Sequence, residues 1–120
     1  MTMILVVDDS RTMRDMLRFA LTDSGFDVTQ ASDGEEALQF LDGTRYDLII
    51  TDINMPRLDG FGLIERVRQD ERYRFTPIIV LTTESAAEKK DRARNVGASG
   101  WIVKPFEPSK LIDVVRRVTH

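Results

Sequence analysis

Two short apolar runs end on aspartate: Ile4-Leu5-Val6-Val7 runs into Asp8-Asp9, and Leu48-Ile49-Ile50-Thr51 runs into Asp52. A nearly unbroken apolar run reads as a strand covered on both faces, as in a parallel sheet. A carboxylate directly after such a strand stands at the carboxyl edge, where open α/β sheets place ligands. If the two strands are neighbours, three negative charges converge. At ~4 Å and an effective dielectric of ~20, each like-charge pair repels by about 4 kcal/mol. The cluster therefore requires a protonated member or a cation, and its hard oxygen donors ask for a divalent metal.

The rest of the chain fits the same architecture. Strand-like runs recur at Met3 to Val7, Phe26 to Ala31, Leu48 to Asp52, Ile78 to Thr82 and Trp101 to Val103. Between them the apolar residues take helical spacing. Met13, Met16, Leu17, Ala20 and Leu21 form one stripe, with Arg14, Asp15 and Arg18 facing away and Gly25 as the stop. Asp33-Gly34-Glu35-Glu36 reads as an N-cap with an acidic first turn, and Asp59-Gly60 opens a helix carrying Phe61, Leu63, Ile64 and Val67. A more polar helix is expected over Ala86 to Val96, ending at Gly97. Pro108 suits the first turn of a last helix whose inner face is Leu111, Ile112, Val115 and Val118. Alternating strands and helices of this kind predict a five-stranded parallel sheet with five helices on both faces. Residues 1–120 are expected to be a single domain.

Composition narrows the function classes. The net charge of −3 argues against a broad basic field for nucleic acid, and no apolar stretch reaches the ~20 residues of a membrane span. Without cysteine there is no disulfide or thiolate chemistry, and with one histidine a zinc site is not expected. His120 is assigned no role. The N-terminus lacks the pattern of a signal peptide, so a cytoplasmic location is expected.

Four strand ends carry the chemistry: Asp8 and Asp9, Asp52, Thr82, and Lys104-Pro105. Carboxylates, a backbone carbonyl and waters suit Mg²⁺. A lysine and a threonine hydroxyl nearby can contact a transferring phosphoryl group. An aspartate placed between Mg²⁺ and lysine is a candidate nucleophile for an acyl phosphate.

At these residues the sequence resembles the response-regulator receiver family over essentially its whole length, and within it the single-domain chemotaxis regulators. The matching elements are Val7-Asp8-Asp9-Ser10, Asp33-Gly34 with Ala37-Leu38, Asp52-Ile53-Asn54-Met55-Pro56 before Asp59-Gly60, Thr82, Gly97-Ala98, and Lys104-Pro105-Phe106. The resemblance implies a flavodoxin-like fold with strand order 2-1-3-4-5 and no output domain. It implies that Asp52 accepts a phosphoryl group from a histidine kinase or a phosphotransfer protein. Asp8, Asp9, Asp52 and the backbone carbonyl of Asn54 would hold Mg²⁺. Lys104 would contact the phosphoryl group, and the Lys104-Pro105 peptide would be cis. Thr82 and Trp101 would act as switch residues that remodel the face of helix four, strand five and helix five. The side chains of Asn54 and Glu84 would tune the lifetime of the phosphoryl group. The implied protein is a monomer that catalyses only its own phosphorylation and dephosphorylation and signals to a protein target such as a flagellar motor switch.

Plainer readings stand beside these. Asp8 and Asp9 could be helix-start acids, Thr82 an ordinary strand residue, Trp101 a core aromatic, and Asp33 and Asp59 simple helix caps. Lys89, Lys90, Arg92, Arg116 and Arg117 read as a solvated face. Within the receiver reading, chemotactic motor control competes with a phosphorelay shuttle and a phosphate sink. A haloacid-dehalogenase-type phosphatase would need a second aspartate where this chain has Asn54, and a cap domain. A flavodoxin-like electron carrier would need a Ser/Thr/Gly-rich phosphate loop after the first strand, which is absent.

Overall fold

The computed structural model describes residues 1–119; His120 lies outside the described residues. The elements run β1 (Met3–Val7), α1 (Arg11–Asp23), β2 (Asp27–Ala31), α2 (Gly34–Phe40), β3 (Leu48–Thr51), α3 (Gly60–Gln69), a 3₁₀ turn (Glu71–Tyr73), β4 (Ile78–Thr82), α4 (Ala87–Val96), β5 (Gly100–Val103) and α5 (Pro108–Thr119). All strand pairs are parallel, in the order β2-β1-β3-β4-β5. This is the flavodoxin-like architecture expected from the sequence.

Successive residues of a strand point to opposite faces, so each central strand feeds two cores. Leu5, Val7, Ile49, Ile78 and Val80 pack with Phe61, Ile64 and Val67 of α3. Ile4, Val6, Leu48, Ile50, Ile79 and Leu81 pack on the other face with Leu17 and Leu21 of α1 and Leu111 and Val115 of α5. Burial on both faces explains why these strands read as continuous apolar runs rather than alternating ones.

The caps expected at Asp33 and Asp59 are present, and Ser10 supplies a further one. The side chains of Ser10, Asp33 and Asp59 accept backbone N–H groups of Met13, Glu36 and Gly62, opening α1, α2 and α3. Gly97 closes α4 in the left-handed region at φ 116°. α4 itself is thinly anchored, with Ala93 its only fully buried residue.

Several expectations are corrected. Phe26 is not in β2, because its N–H turns back to the Leu21 carbonyl at the end of α1. β3 stops at Thr51, leaving Asp52 just past the sheet, and β5 begins one residue earlier than expected, at Gly100. Ala86 flanks α4 rather than belonging to it. Met16 does not join the inner stripe of α1 and is 51% exposed. Arg14 does not simply face away: its guanidinium donates to the Asp8 carbonyl at 2.7 Å. Arg92 lies over the Phe61 ring at 4.0 Å, and Lys89 pairs with Glu84, so neither belongs to an uninvolved solvated face.

At the amino edge of the sheet, Arg68 is drawn inward against backbone. Its guanidinium donates to the carbonyls of Gly97, Tyr73, Arg74 and Thr76 at 2.7–3.2 Å.

Candidate functional site

The register makes β1 and β3 neighbours, with Val7 opposite Thr51, so the residues that follow each strand meet. Asp8 and Asp52 leave the sheet hydrogen-bonded to it: the Asp8 N–H donates to Ala31 and the Asp52 N–H to Val7. Carboxylate oxygens of Asp8, Asp9 and Asp52 lie within 4.8 Å of one another. Asp8 and Asp52 are buried, whereas Asp9 is exposed at the mouth. The convergence expected from the two apolar runs is therefore present.

Lys104 enters this cluster from the far end of β5. Its Nζ donates to Asp8 Oδ2 at 2.7 Å and to Asp52 Oδ2 at 2.8 Å. Only 9% of its side chain is exposed. It follows the last residue of β5, and its N–H holds the Thr82 carbonyl at 2.8 Å. The Lys104–Pro105 peptide is cis. The remaining oxygens take backbone donors: Ser10 N–H binds Asp8 Oδ1 at 2.9 Å and Ile53 N–H binds Asp52 Oδ1 at 2.6 Å.

The charges do not balance. Burial disfavours the charged form of Asp8 and raises its carboxyl above the usual range, although Lys104 and the Ser10 N–H pull the other way. Burial opposes the charge on Lys104 too, but the two carboxylates outweigh it and hold the ammonium above its ordinary range. One ammonium among three carboxylates leaves a surplus of negative charge around hard oxygen donors. That donor set, part buried and part open through Asp9, fits a hard divalent cation.

The other expected residues surround the cluster unevenly. Thr82 is fully buried at the end of β4, and its Oγ accepts the Glu84 N–H at 3.3 Å. Trp101 is half-buried on β5, and its indole N–H donates to the Glu84 carbonyl at 3.1 Å. The Glu84 carboxylate pairs with Lys89 at 3.4 Å. Glu84 thus joins Thr82, Trp101 and α4. Asn54 is exposed on the β3–α3 loop. Gly60, which opens α3, packs so closely that a Cβ there would collide with the Asp52 carbonyl.

Three residues near the site escaped sequence reasoning. Arg14 holds the backbone between Asp8 and α1. Lys89 reaches Glu84. Arg57 pairs with Asp33, which is therefore more than a helix cap. Helical spacing places Arg14 and Lys89 on their elements but does not name their partners. A groove of about 650 Å³ between α1 and α5, lined by Met16, Phe19, Phe106 and Ile112, includes none of the acidic cluster.

Comparison with known proteins agrees with this geometry. The family profile described as response regulator receiver domain matches residues 4–116. The chain is 37% identical over 116 residues to the chemotaxis protein CheY of Pseudomonas aeruginosa, covering 96% of this chain and 94% of that one. It superposes on the structure of the chemotaxis response regulator CheY4 of Vibrio cholerae with a TM-score of 0.93 and 47% identity, covering 98% of each chain. It is also similar to the receiver domain of a sensor histidine kinase from Pseudomonas aeruginosa, solved with magnesium in its active-site cleft. There the TM-score is 0.91 and the identity 29%, covering 98% of this chain and 97% of that one.

Proposed function

The chain belongs to the response regulator receiver family, and from that premise we propose that it is a CheY-like phospho-receiver that takes a phosphoryl group on Asp52. As a CheY-like receiver it has no catalytic activity beyond its own phosphorylation and dephosphorylation. The observation that carries the reading is the position of Lys104 Nζ, shared between Asp8 and Asp52 at 2.7 and 2.8 Å.

Asp8, Asp9, Asp52 and the Asn54 carbonyl are the residues that would hold Mg²⁺, which when bound offsets the charge that builds up as the phosphoryl group arrives. An Asp52 oxygen attacks phosphorus, the bond to the donor imidazole nitrogen breaks, and that nitrogen keeps the electron pair. Lys104 already lies against Asp52, so its ammonium can follow the new phosphoryl oxygens with little movement. The Thr82 hydroxyl accepts from Glu84 N–H and keeps its own proton free to donate. If Thr82 turns toward the phosphoryl group, that contact is released. Glu84, Trp101 and the start of α4 then lose one of their ties. Asn54 and Glu84, two residues beyond Asp52 and Thr82, would bear on water entry and hence on phosphoryl lifetime.

The kinship with chemotaxis regulators favours a histidine kinase as donor and a motor switch component as target. The test combines a small phosphodonor, Mg²⁺ and intact-mass measurement. We expect one added phosphoryl group on the natural chain and none on Asp52→Ala or after EDTA; labelling of Asp52→Ala would sink the assignment. Capture by beryllofluoride-treated protein, compared with Asp52→Ala, then separates the physiological options. A motor component supports chemotaxis, a histidine phosphotransfer protein supports a relay, and no target supports a phosphate sink.

A further inference from the structure

The loop between β3 and α3 carries Asp52 at one end and the α3 cap Asp59 at the other. Gly60 N–H donates to the Ile53 carbonyl at 2.9 Å, drawing the two ends together. Within it, Leu58 N–H donates to the Pro56 carbonyl at 2.8 Å, closing a γ-turn centred on Arg57. Arg57 has φ 67° and is the one non-glycine residue with positive φ among the described residues. That backbone region is disfavoured for a residue with a side chain and persists only where the surroundings enforce it.

The enforcement comes from α2. Arg57 Nε donates to Asp33 Oδ2 at 2.7 Å, and Nη2 contacts the same oxygen. The Asp33 side chain is 3% exposed, whereas that of Arg57 is 59% exposed, so packing does not explain the arginine's place. Asp33 is itself fixed, because its Oδ1 caps α2 through the Glu36 N–H at 2.9 Å. A backbone bond runs alongside: Gly34 N–H donates to the Leu58 carbonyl at 3.2 Å. A Cβ on Gly34 would stand 2.6 Å from that oxygen, so only glycine permits the approach. The loop is tied to the start of α2 by one ion pair from the strained residue itself and one backbone bond from its neighbour Leu58.

We propose that the Arg57–Asp33 clamp positions the β3–α3 loop, and with it the Asn54 carbonyl, for binding the divalent cation. This rests on the metal-dependent receiver reading above. Arg57 and Asp33 are positioning residues, since neither belongs to the acidic cluster. Asn54 is close to Arg57 in a short loop pinned at both ends, so release of one pin shifts the carbonyl between them.

The test is calorimetric titration of the full chain with Mg²⁺, beside hydrogen exchange of the loop amides. Arg57→Gly removes the guanidinium and leaves the positive φ accessible, so the variant is spared backbone strain. We expect its Mg²⁺ affinity to fall about tenfold, the scale on which partners behind metal ligands act. Exchange at residues 53–58 should quicken in the same variant, and Arg57→Lys should recover part of the affinity. Asp33→Asn should weaken Mg²⁺ binding likewise, and adding it to Arg57→Gly should cost little more. A lower melting temperature with unchanged Mg²⁺ affinity would overturn the clamp and leave the receiver reading intact. A natural chain that binds no Mg²⁺ and takes no phosphoryl group would overturn the receiver reading, and the clamp with it.

Discussion

Lys104 and Arg68 are both cations drawn into the protein, at opposite edges of one sheet, and their partners differ in kind. Arg68 meets carbonyls of Gly97, Tyr73, Arg74 and Thr76 and, among the described residues, no carboxylate. Its charge ties α3 to the loops that enter β4 and β5. Lys104 meets two carboxylates, with a third beside them. The first arrangement is closed, because every partner is a neutral dipole that needs nothing more. The second is open, because one positive charge is set against three negative ones. Surplus charge, rather than burial as such, distinguishes the reactive edge from the structural one.

The contrast can be broken experimentally. Lys104→Ala strands Asp8 and Asp52 beside each other, and removing one member of a buried pair costs about 3 kcal/mol. Without the ammonium, the carboxylates should hold Mg²⁺ more tightly and recover part of that loss by mass action. Melting temperatures with and without millimolar Mg²⁺ check this; equal Mg²⁺ shifts in variant and natural chain would erase the distinction. Arg68→Met should cost about 2 kcal/mol, from lost charge-assisted bonds to half-buried carbonyls. Its urea midpoint should fall by the same amount with or without Mg²⁺, and labelling at Asp52 should persist.

Acid sharpens the comparison. The Asp8 carboxyl lies above its ordinary 3.8 because of burial, and its proton competes with the metal. Mg²⁺ affinity should therefore begin to fall while pH is still above 3.8, by about tenfold per pH unit once Asp8 is mostly protonated. Titrations across the acid range check this; affinity that stays constant to below pH 3.8 would contradict it. In the metal-free chain the sign reverses. A raised carboxylate pKa favours the fold at low pH, and that contribution declines as pH climbs through 3.8 to the folded value. Asp33 behaves oppositely. The Glu36 N–H and then Arg57 hold it below 3.8, so its stabilisation is present above that value and is lost as pH falls through the lower folded one. The smallest effect belongs to Trp101→Phe. It loses the N–H donated to the Glu84 carbonyl, at a cost of about 1 kcal/mol by urea unfolding. No change would mean that this bond does not hold the β4–α4 segment.

The framework was legible because its signals are local. Apolar runs marked β1, β3 and β4, side-chain caps marked the starts of α2 and α3, and acids at adjacent strand ends marked the site. Once β1 and β3 are neighbours, Asp8 and Asp52 have nowhere else to go. What escaped depends on partners that lie outside the element carrying the residue. Arg57 and Asp33 are separated by 24 positions, and no periodicity links them. Met16 satisfies helical spacing but falls on the margin of the α1 stripe, where it stays 51% exposed. Arg14 fits a polar face equally well, until the Asp8 carbonyl comes within its reach.

The thin anchoring of α4 has a consequence for how a signal could spread. A helix that fully buries only Ala93 can open to solvent far below the free energy that unfolds the sheet. Local opening of this kind is an equilibrium between docked and displaced positions of α4. A modification with a differential affinity of about 5.5 kcal/mol would carry such an equilibrium from 1:99 to 99:1. The amides of α4 should accordingly exchange ahead of those of β1, β3 and β4, and slow exchange throughout α4 would contradict this view of its anchoring.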